Sequence, residues 1–403
     1  MLSVKFPQVH AHISKEFHGG LLPLKFVEDH KIRLVIKAPK EMLLAAKVRK
    51  HFRIFVVPIE EDNVVSFSLV TAFYDNDVHP LTITTPLFDE PLTEIYREML
   101  LGDKVDVHFF DENNIEFLAY EAKIECNDFV KTRISAANFS PFSKTAAKRV
   151  IQKIEDWYIY SEQKDEADAI LFTLNQALFP DDFLIIDARP SSSLYVSDSE
   201  IHVNRLERTE PGAYQERDIA AIFARIFPSH QIYLNPLRHY DQEEICDLLI
   251  IGQDHILFVQ AKDSPNTEKV LQNSIDRKKS TTAKHLDKGL RQVEGAVKYA
   301  LKANQMEFLI GKRKFSVAVD KSTIYGLVVT KELFLDEYED YTSMTMKVFE
   351  EVKRPCIPLE YKELHSYTMN LKNEQKFFEA LDTVFSIGKE SSIFPRLRFG
   401  LAD

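Results

Sequence analysis

The sequence predicts an α/β chain in two parts. A strand-rich α+β N-terminal domain precedes an α/β C-terminal domain with a central mixed sheet flanked by helices. Three observations predict it. The first 130 residues are dominated by short apolar or alternating runs (IRLVIKA, FRIFVVP, VVSFSLVTAFY, KVDVHFF and IEFLAYEAKI), the pattern of strands buried on one or both faces. From residue 206 the order becomes helix, strand, hairpin, long helix, strand, strand, helix, which is an α/β order. Between the two lies the polar stretch ARPSSS, and a boundary is expected near Pro190–Ser199. A chain of 403 residues has room for two or three such units.

Within residues 1–130 one helix, PLTEIYREMLL, interrupts the strands and is stopped by Gly102. Asn113-Asn114 joins two strands as a hairpin turn. His10, His12 and His18 sit close together near the terminus and are expected to face solvent. Residues 131–205 are expected to be a helical connecting region, with helices at TAAKRVIQKIEDWYIY and EADAILFTLNQALF. Residues 206–403 open with the helix AYQERDIAAIFARIF and continue through strands at QIYLN, EICDLLII and HILFVQAK. The last two are joined at Gly252-Gln253-Asp254, a hairpin tip. A long helix follows over about 282–303. Strands at KFSVAV, TIYGLVV and PCIPLEY come next, then the helix NEQKFFEALDTVF.

Composition narrows the function. No run approaches the ~18 apolar residues of a membrane span, and MLSVKFPQVHAH lacks the apolar core of a secretory signal. Cys126, Cys246 and Cys356 are too scattered for a disulfide framework or a zinc site, so a reducing cytoplasm is expected. The net charge of −11 argues against a nucleic-acid partner for the chain as a whole. The charge is uneven, however. Residues 262–314 carry 13 Lys and Arg against 6 Asp and Glu. A solvated helix face and a phosphate-binding surface both account for that segment.

The chemistry concentrates in residues 245–262, ICDLLIIGQDHILFVQAK. Asp247 heads one apolar run, and Gln260 and Lys262 end the next on one face of a strand. A hairpin would bring all three together. Glu216 lies inside the apolar arc of the preceding helix, at 100° per residue, whereas Arg217, Asp218 and Arg225 fall outside it. Carboxylates so placed need partners, since an unpaired buried charge costs several kcal/mol. A metal, the lysine, or a plain structural ion pair would each serve. Glu244 is close enough in sequence to reach a metal at Asp247.

In that order and spacing, Glu216, Asp247 and Gln260-Ala261-Lys262 resemble the signature of the PD-(D/E)XK, restriction-endonuclease-like superfamily, in the Gln-x-Lys version of Mrr-type enzymes. Cys246 stands where the family pattern has proline. The resemblance implies a restriction-endonuclease-like fold over residues 206–403 and a metal-dependent DNA endonuclease. It implies that Asp247, the Gln260 side-chain oxygen and a backbone carbonyl near Ala261 hold Mg²⁺, or Mn²⁺ in its place, with Glu216 nearby. Lys262 would orient the attacking water and offset charge on the phosphate. Lys284, Lys288, Arg291, Gln292, Lys298 and Tyr299 on the long helix are the expected DNA contacts, with RNA fitting the same surface. Cutting both strands implies a homodimer or higher homo-oligomer. Such nucleases are often joined to an unrelated module in systems that attack foreign DNA, so antiviral defence follows by analogy, with residues 1–130 sensing, binding or gating. The alternative is a catalytically inactive protein that uses the same fold to bind nucleic acid or a partner.

Overall fold

The computed structural model describes residues 1–17, 19–26, 29–61, 64–75, 80–160, 169–180, 185–187, 202–208, 212–262, 265–319, 323–371 and 373–396. It is mixed α/β, built on one large sheet in the N-terminal half and a smaller mixed sheet in the C-terminal half. The expected boundary near Pro190–Ser199 lies outside the described residues.

The first unit begins with helices α1 (Leu2–Lys5) and α2 (Pro7–Lys15). Strands β1 (Gly20–Lys25) and β2 (Ile32–Lys37) and helix α3 (Lys40–Arg49) follow. Next come β3 (His51–Glu61), β4 (Val64–Phe73), β5 (Leu81–Thr85), α4 (Pro91–Leu101), β6 (Lys104–Phe110) and β7 (Glu116–Glu125). Helices α5 (Asp128–Ala136) and α6 (Lys144–Tyr160) lead into β8 (Ala169–Ala177). The eight strands form one sheet in the order β1-β2-β6-β7-β8-β3-β4-β5. Both faces are covered, which is why the strands read as near-continuous apolar runs. Along β3, Phe52, Ile54 and Val56 join the core with α3, α4 and α5, while Phe55, Val57 and Ile59 pack on α6.

Two expectations are corrected here. The segment EADAILFTLNQALF is not a helix: its described part is β8, hydrogen-bonded between β3 and β7. Ile170, Phe172 and Leu174 alternate into the core at a period of two. Pairing on both sides outweighs the helix propensity of its Ala and Leu residues. The first sheet therefore draws a strand from beyond residue 130. His10 does not simply face solvent either. It is half-buried, with its Nε2 3.1 Å from the Asn114 carbonyl oxygen. His12 lies 3.0 Å from Glu16 on the exposed side of its helix, and His18 is outside the described residues.

A short ribbon, β9 (Ile185–Asp187) with β10 (His202–Asn204), precedes the second unit. There α7 (Gly212–Phe223) is followed by β11 (Ile232–Leu234), β12 (Leu237–Arg238), β13 (Leu248–Ile251) and β14 (His255–Lys262). Helices α8 (Glu268–Leu271) and α9 (Ile275–Ala300) come next, then β15 (Gln305–Ile310), β16 (Arg313–Ala318) and β17 (Thr323–Thr330). Helix α10 (Tyr338–Val352), β18 (Cys356–Glu360), α11 (Tyr361–Asn370) and α12 (Glu374–Ser391) complete the chain. Strands β11-β13-β14-β17-β18 form a mixed sheet, antiparallel at β13–β14 and parallel across β14, β17 and β18. KFSVAV, as β16, sits instead in a side sheet with β12 and β15. Helix α9 covers one face of the mixed sheet: Val293 packs so close to Gly326 of β17 that a Cβ there would lie 2.3 Å from it. Helices α7 and α12 cover the other face, where Phe223 and Phe227 meet Phe377, and Phe378 meets Tyr325.

The two units meet along a seam of ion pairs. Lys40, at the start of α3, lies 3.1 Å from Asp111 and 3.8 Å from Asp218 on α7. Arg208 reaches Asp218 at 2.8 Å, Lys278 reaches Asp75 at 2.7 Å, and Lys331 reaches Glu41 at 3.5 Å. Asp218 is two residues from Glu216, about 200° round the helix, so α7 serves the seam with one side and the candidate site with another.

Candidate active site

Hairpin β13–β14 builds the site. Leu248 pairs with Val259, so the next position outward places Asp247 opposite Gln260. The Ala261 N–H donates to Asp247 Oδ2 at 2.6 Å and fixes the carboxylate. Lys262 then folds back over its own strand end. Its ammonium donates to Asp247 Oδ2 at 3.2 Å, Gln260 Oε1 at 2.9 Å and the Ala261 carbonyl at 3.1 Å. Gln260 is 1% exposed and Asp247 6%. A carboxylate, an amide oxygen and a backbone carbonyl thus converge on a single cation.

Helix α9 holds the lysine from above. Gly289 permits the approach: a Cβ at that position would stand 2.6 Å from Val328 Cγ1 and 3.1 Å from Lys262 Cγ. One turn earlier, His285 is half-buried. Burial, then the Lys262 and Lys288 ammonium groups, hold its imidazole below the usual histidine range. His285 is therefore a neutral ring beside the site, not the solvated side chain that its place on a basic helix suggests.

Glu216 approaches from α7, half-buried and hydrogen-bonded to the Asn235 side chain. Burial and the Asp247 charge push its carboxyl up, against the pull of Asn235, Lys262 and Arg217. Glu244, just upstream of Asp247, is pushed up to about 7 by burial and by its hydrogen bond and charge contact with Asp247. Asn235 joins the two sides. Its N–H donates to the Asp247 carbonyl at 2.9 Å, and its left-handed φ of 48° turns the chain from β11 towards β12. Glu216, Asp247, Gln260 and Lys262 are thus brought together. Asn235 and Gly289 join them unanticipated. The Asn-Pro dipeptide at 235–236 and a glycine inside a long helix are their only sequence signals.

Among the described residues, no group of three or more His, Cys, Asp or Glu side chains is arranged to hold a metal ion. The oxygens that converge here include an amide and a main-chain carbonyl, which lie outside those residue types. As donors they suit a hard cation such as Mg²⁺. The point they share is filled by the Lys262 ammonium.

The expected DNA-contacting residues divide into two sets. Lys284 and Lys288 are exposed and have no ion-pair partner among the described residues, and Gln292 is exposed beside them. Arg291 is bound to Asp287, Lys298 pairs with Glu294 and Glu351, and the Tyr299 hydroxyl donates to the Glu307 carbonyl at 2.5 Å. Those three are engaged within the chain. Arg396 folds back onto Glu360 at 2.6 Å and Glu363 at 3.3 Å, as tail packing. Compared with known proteins, the chain matches no family model and no curated protein.

Proposed function

We propose that the protein is a metal-dependent DNA endonuclease whose C-terminal unit is a restriction-endonuclease-like domain of the PD-(D/E)XK type. One observation carries this reading: a single lysine faces three carboxyl groups, Asp247, Glu216 and Glu244, plus the Gln260 and Ala261 oxygens. Burial first, and then the Asp247 charge, push Glu216 and Glu244 up, against the pull of Lys262. Glu244 also supplies the third acid that Gln260 does not. The mixed sheet, with Asp247 and Lys262 at adjoining strand ends, supports the same reading.

Bound at these oxygens, a divalent cation supplies Lewis-acid polarisation of a phosphoryl oxygen and acidifies a water. The residues themselves do the rest. Asp247 is aimed by the Ala261 N–H, and Glu216 is held beside it by Asn235. With Asp247, Gln260 and the Ala261 carbonyl as the oxygens that would hold the metal, the Lys262 ammonium beside them would offset the negative charge gained by a pentacoordinate phosphate. Gly289 lets α9 close over the lysine stem and shield that charge from water.

The test is cleavage of supercoiled plasmid by the full chain with Mg²⁺ or Mn²⁺. Wild type is expected to nick or linearise it, and Lys262→Ala to lose about 10²–10³-fold in rate. No cleavage by wild type, or equal cleavage by the variant, removes the enzyme reading. One observation favours a second reading, a catalytically silent nucleic-acid-binding protein: the lysine already satisfies all three oxygens.

A further inference from the structure

Hairpin β15–β16 is a two-stranded ribbon whose outer strand, β16, has no further strand beyond it among the described residues. It is anchored to the rest of the unit through Leu237↔Leu309 and Arg238↔Phe308, and by Tyr233 packing on Phe308 and Phe315. Ile310 pairs with Arg313, so Gly311 and Lys312 form its tip. Gly311 has a φ of 57° and open space where a Cβ would be, as a tight two-residue turn requires. Gly311, Lys312, Arg313 and Lys314 are all exposed. Lys314 pairs with Glu307 at 2.8 Å. Lys312 and Arg313 have no acidic partner among the described residues.

The register directs this tip towards the candidate site. One step beyond Leu237↔Leu309, Ile310 comes level with Pro236, whose neighbour Asn235 touches both Glu216 and Asp247. On α9, Lys288 acts on His285 together with Lys262, and Lys284 stands one residue before His285. Two sets of cations without an acidic partner among the described residues therefore lie near the site, one on a helix and one on a ribbon.

We propose that the β15–β16 tip is a second phosphate-binding element of the site, a basic wing that grips duplex DNA through Lys312 and Arg313 opposite Lys284 and Lys288. This rests on the nuclease reading and names the element that seats its substrate. Two features select the duplex: a two-stranded ribbon fits the major groove, and unpaired cations at its tip suit the groove's phosphate edges. Both side chains are exposed and free, so little intramolecular bonding is lost on binding.

The experiment measures binding, not cleavage. Fluorescence anisotropy with a labelled DNA duplex, in metal-free buffer across a salt series, gives the slope of log K against log[salt]. Lys312→Ala/Arg313→Ala is expected to make that slope shallower by about 1.8, two phosphate contacts at about 0.9 each. Lys5→Ala/Lys15→Ala, on the N-terminal helices, is expected to keep the wild-type slope. An unchanged slope in the hairpin variant, or an equal change in the control, overturns the wing. A shallower slope with single-stranded DNA or duplex RNA but not with duplex DNA overturns the duplex assignment. If wild type binds no duplex at all, the nuclease reading fails first, and the two failures remain distinct.

Discussion

Two clusters of buried charge lie on opposite sides of helix α7, and they are balanced differently. In the seam between the units, Lys40 and Arg208 stand against Asp111 and Asp218 at 2.8–3.8 Å, and each of these two carboxylates has a close cation. Although burial works against its charge, Asp218 and Asp111 hold the Lys40 ammonium above its ordinary range. At the candidate site, Lys262 faces Asp247, Glu216 and Glu244, with Arg217 acting on Glu216 as well, and burial and the Asp247 charge push the last two carboxyls up. The seam's charges are held between two packed units, whereas the candidate site reaches the surface through the exposed Glu244 and gathers its acids and two further oxygens round one lysine.

The largest expected effect breaks that contrast if it is wrong. Lys40→Met leaves Asp111 and Asp218 buried without their shared cation and is expected to cost about 3–5 kcal/mol in urea denaturation. Lys262→Met removes the cation from the buried Asp247 and is expected to cost less, about 1–3 kcal/mol, because Glu244, with its carboxyl pushed up to about 7, takes up a proton readily and offsets part of the lost charge. Equal losses in the two variants would erase the distinction.

Next in size is Gly289→Ala. Its Cβ would press on Val328 and on the Lys262 stem, at an overpacking cost of about 1–3 kcal/mol. Plasmid cleavage should fall further than that stability loss explains, because the lysine is displaced. Thermal melts and cleavage rates on the same preparations separate the two effects.

The seam also holds a pH signature. Burial pushes Glu112 up to about 8, Lys40 pulls it down, and Asp111 and Glu41 push it further up. Arg208, Arg225 and Tyr361 also lie within its field. With its folded value above the unfolded one, the native state binds the extra proton, so this group's contribution declines as pH rises from about 4.5 to about 8. Glu112→Gln should flatten melting temperature against pH over that window and be relatively more stable at its upper end. A variant whose profile parallels wild type removes Glu112 as the source.

The smallest effect sharpens the map of the basic helix. Arg291→Ala breaks an exposed i,i+4 pair with Asp287 and should cost no more than about 0.5 kcal/mol. It should also leave the salt slope of DNA binding unchanged. Lys284→Ala/Lys288→Ala should make that slope shallower by about 1.8.

Much of the site is legible in sequence because its signals are local. Asp247, the Gly252 turn and Gln260-Ala261-Lys262 lie within one hairpin, and alternation along two strands suffices to bring them together. Glu216 is legible as a carboxylate on the apolar arc of a helix. Less legible are contacts that depend on distant pairing. Residues 169–177 contain enough Ala and Leu to suit a helix, and only their neighbours β3 and β7 make them a strand. Helix α10, rich in Thr, Tyr and Met, has weak local propensity and is held by burial of Tyr341, Thr345 and Val348. The seam joins Lys40, Asp111, Arg208 and Asp218 from four separate elements, and no pattern along the chain announces it.

In the proposed nuclease, the oxygens now hydrogen-bonded to Lys262 would form a cation site shared between the lysine and a divalent metal. Titration calorimetry with Mn²⁺ on the full-length wild type, Lys262→Met and Asp247→Asn tests it most directly. Lys262→Met is expected to bind Mn²⁺ more tightly than wild type, because the competing ammonium is gone, and Asp247→Asn to bind none. No heat of binding from either wild type or Lys262→Met would contradict the claim and leave the ammonium as the only cation these oxygens hold.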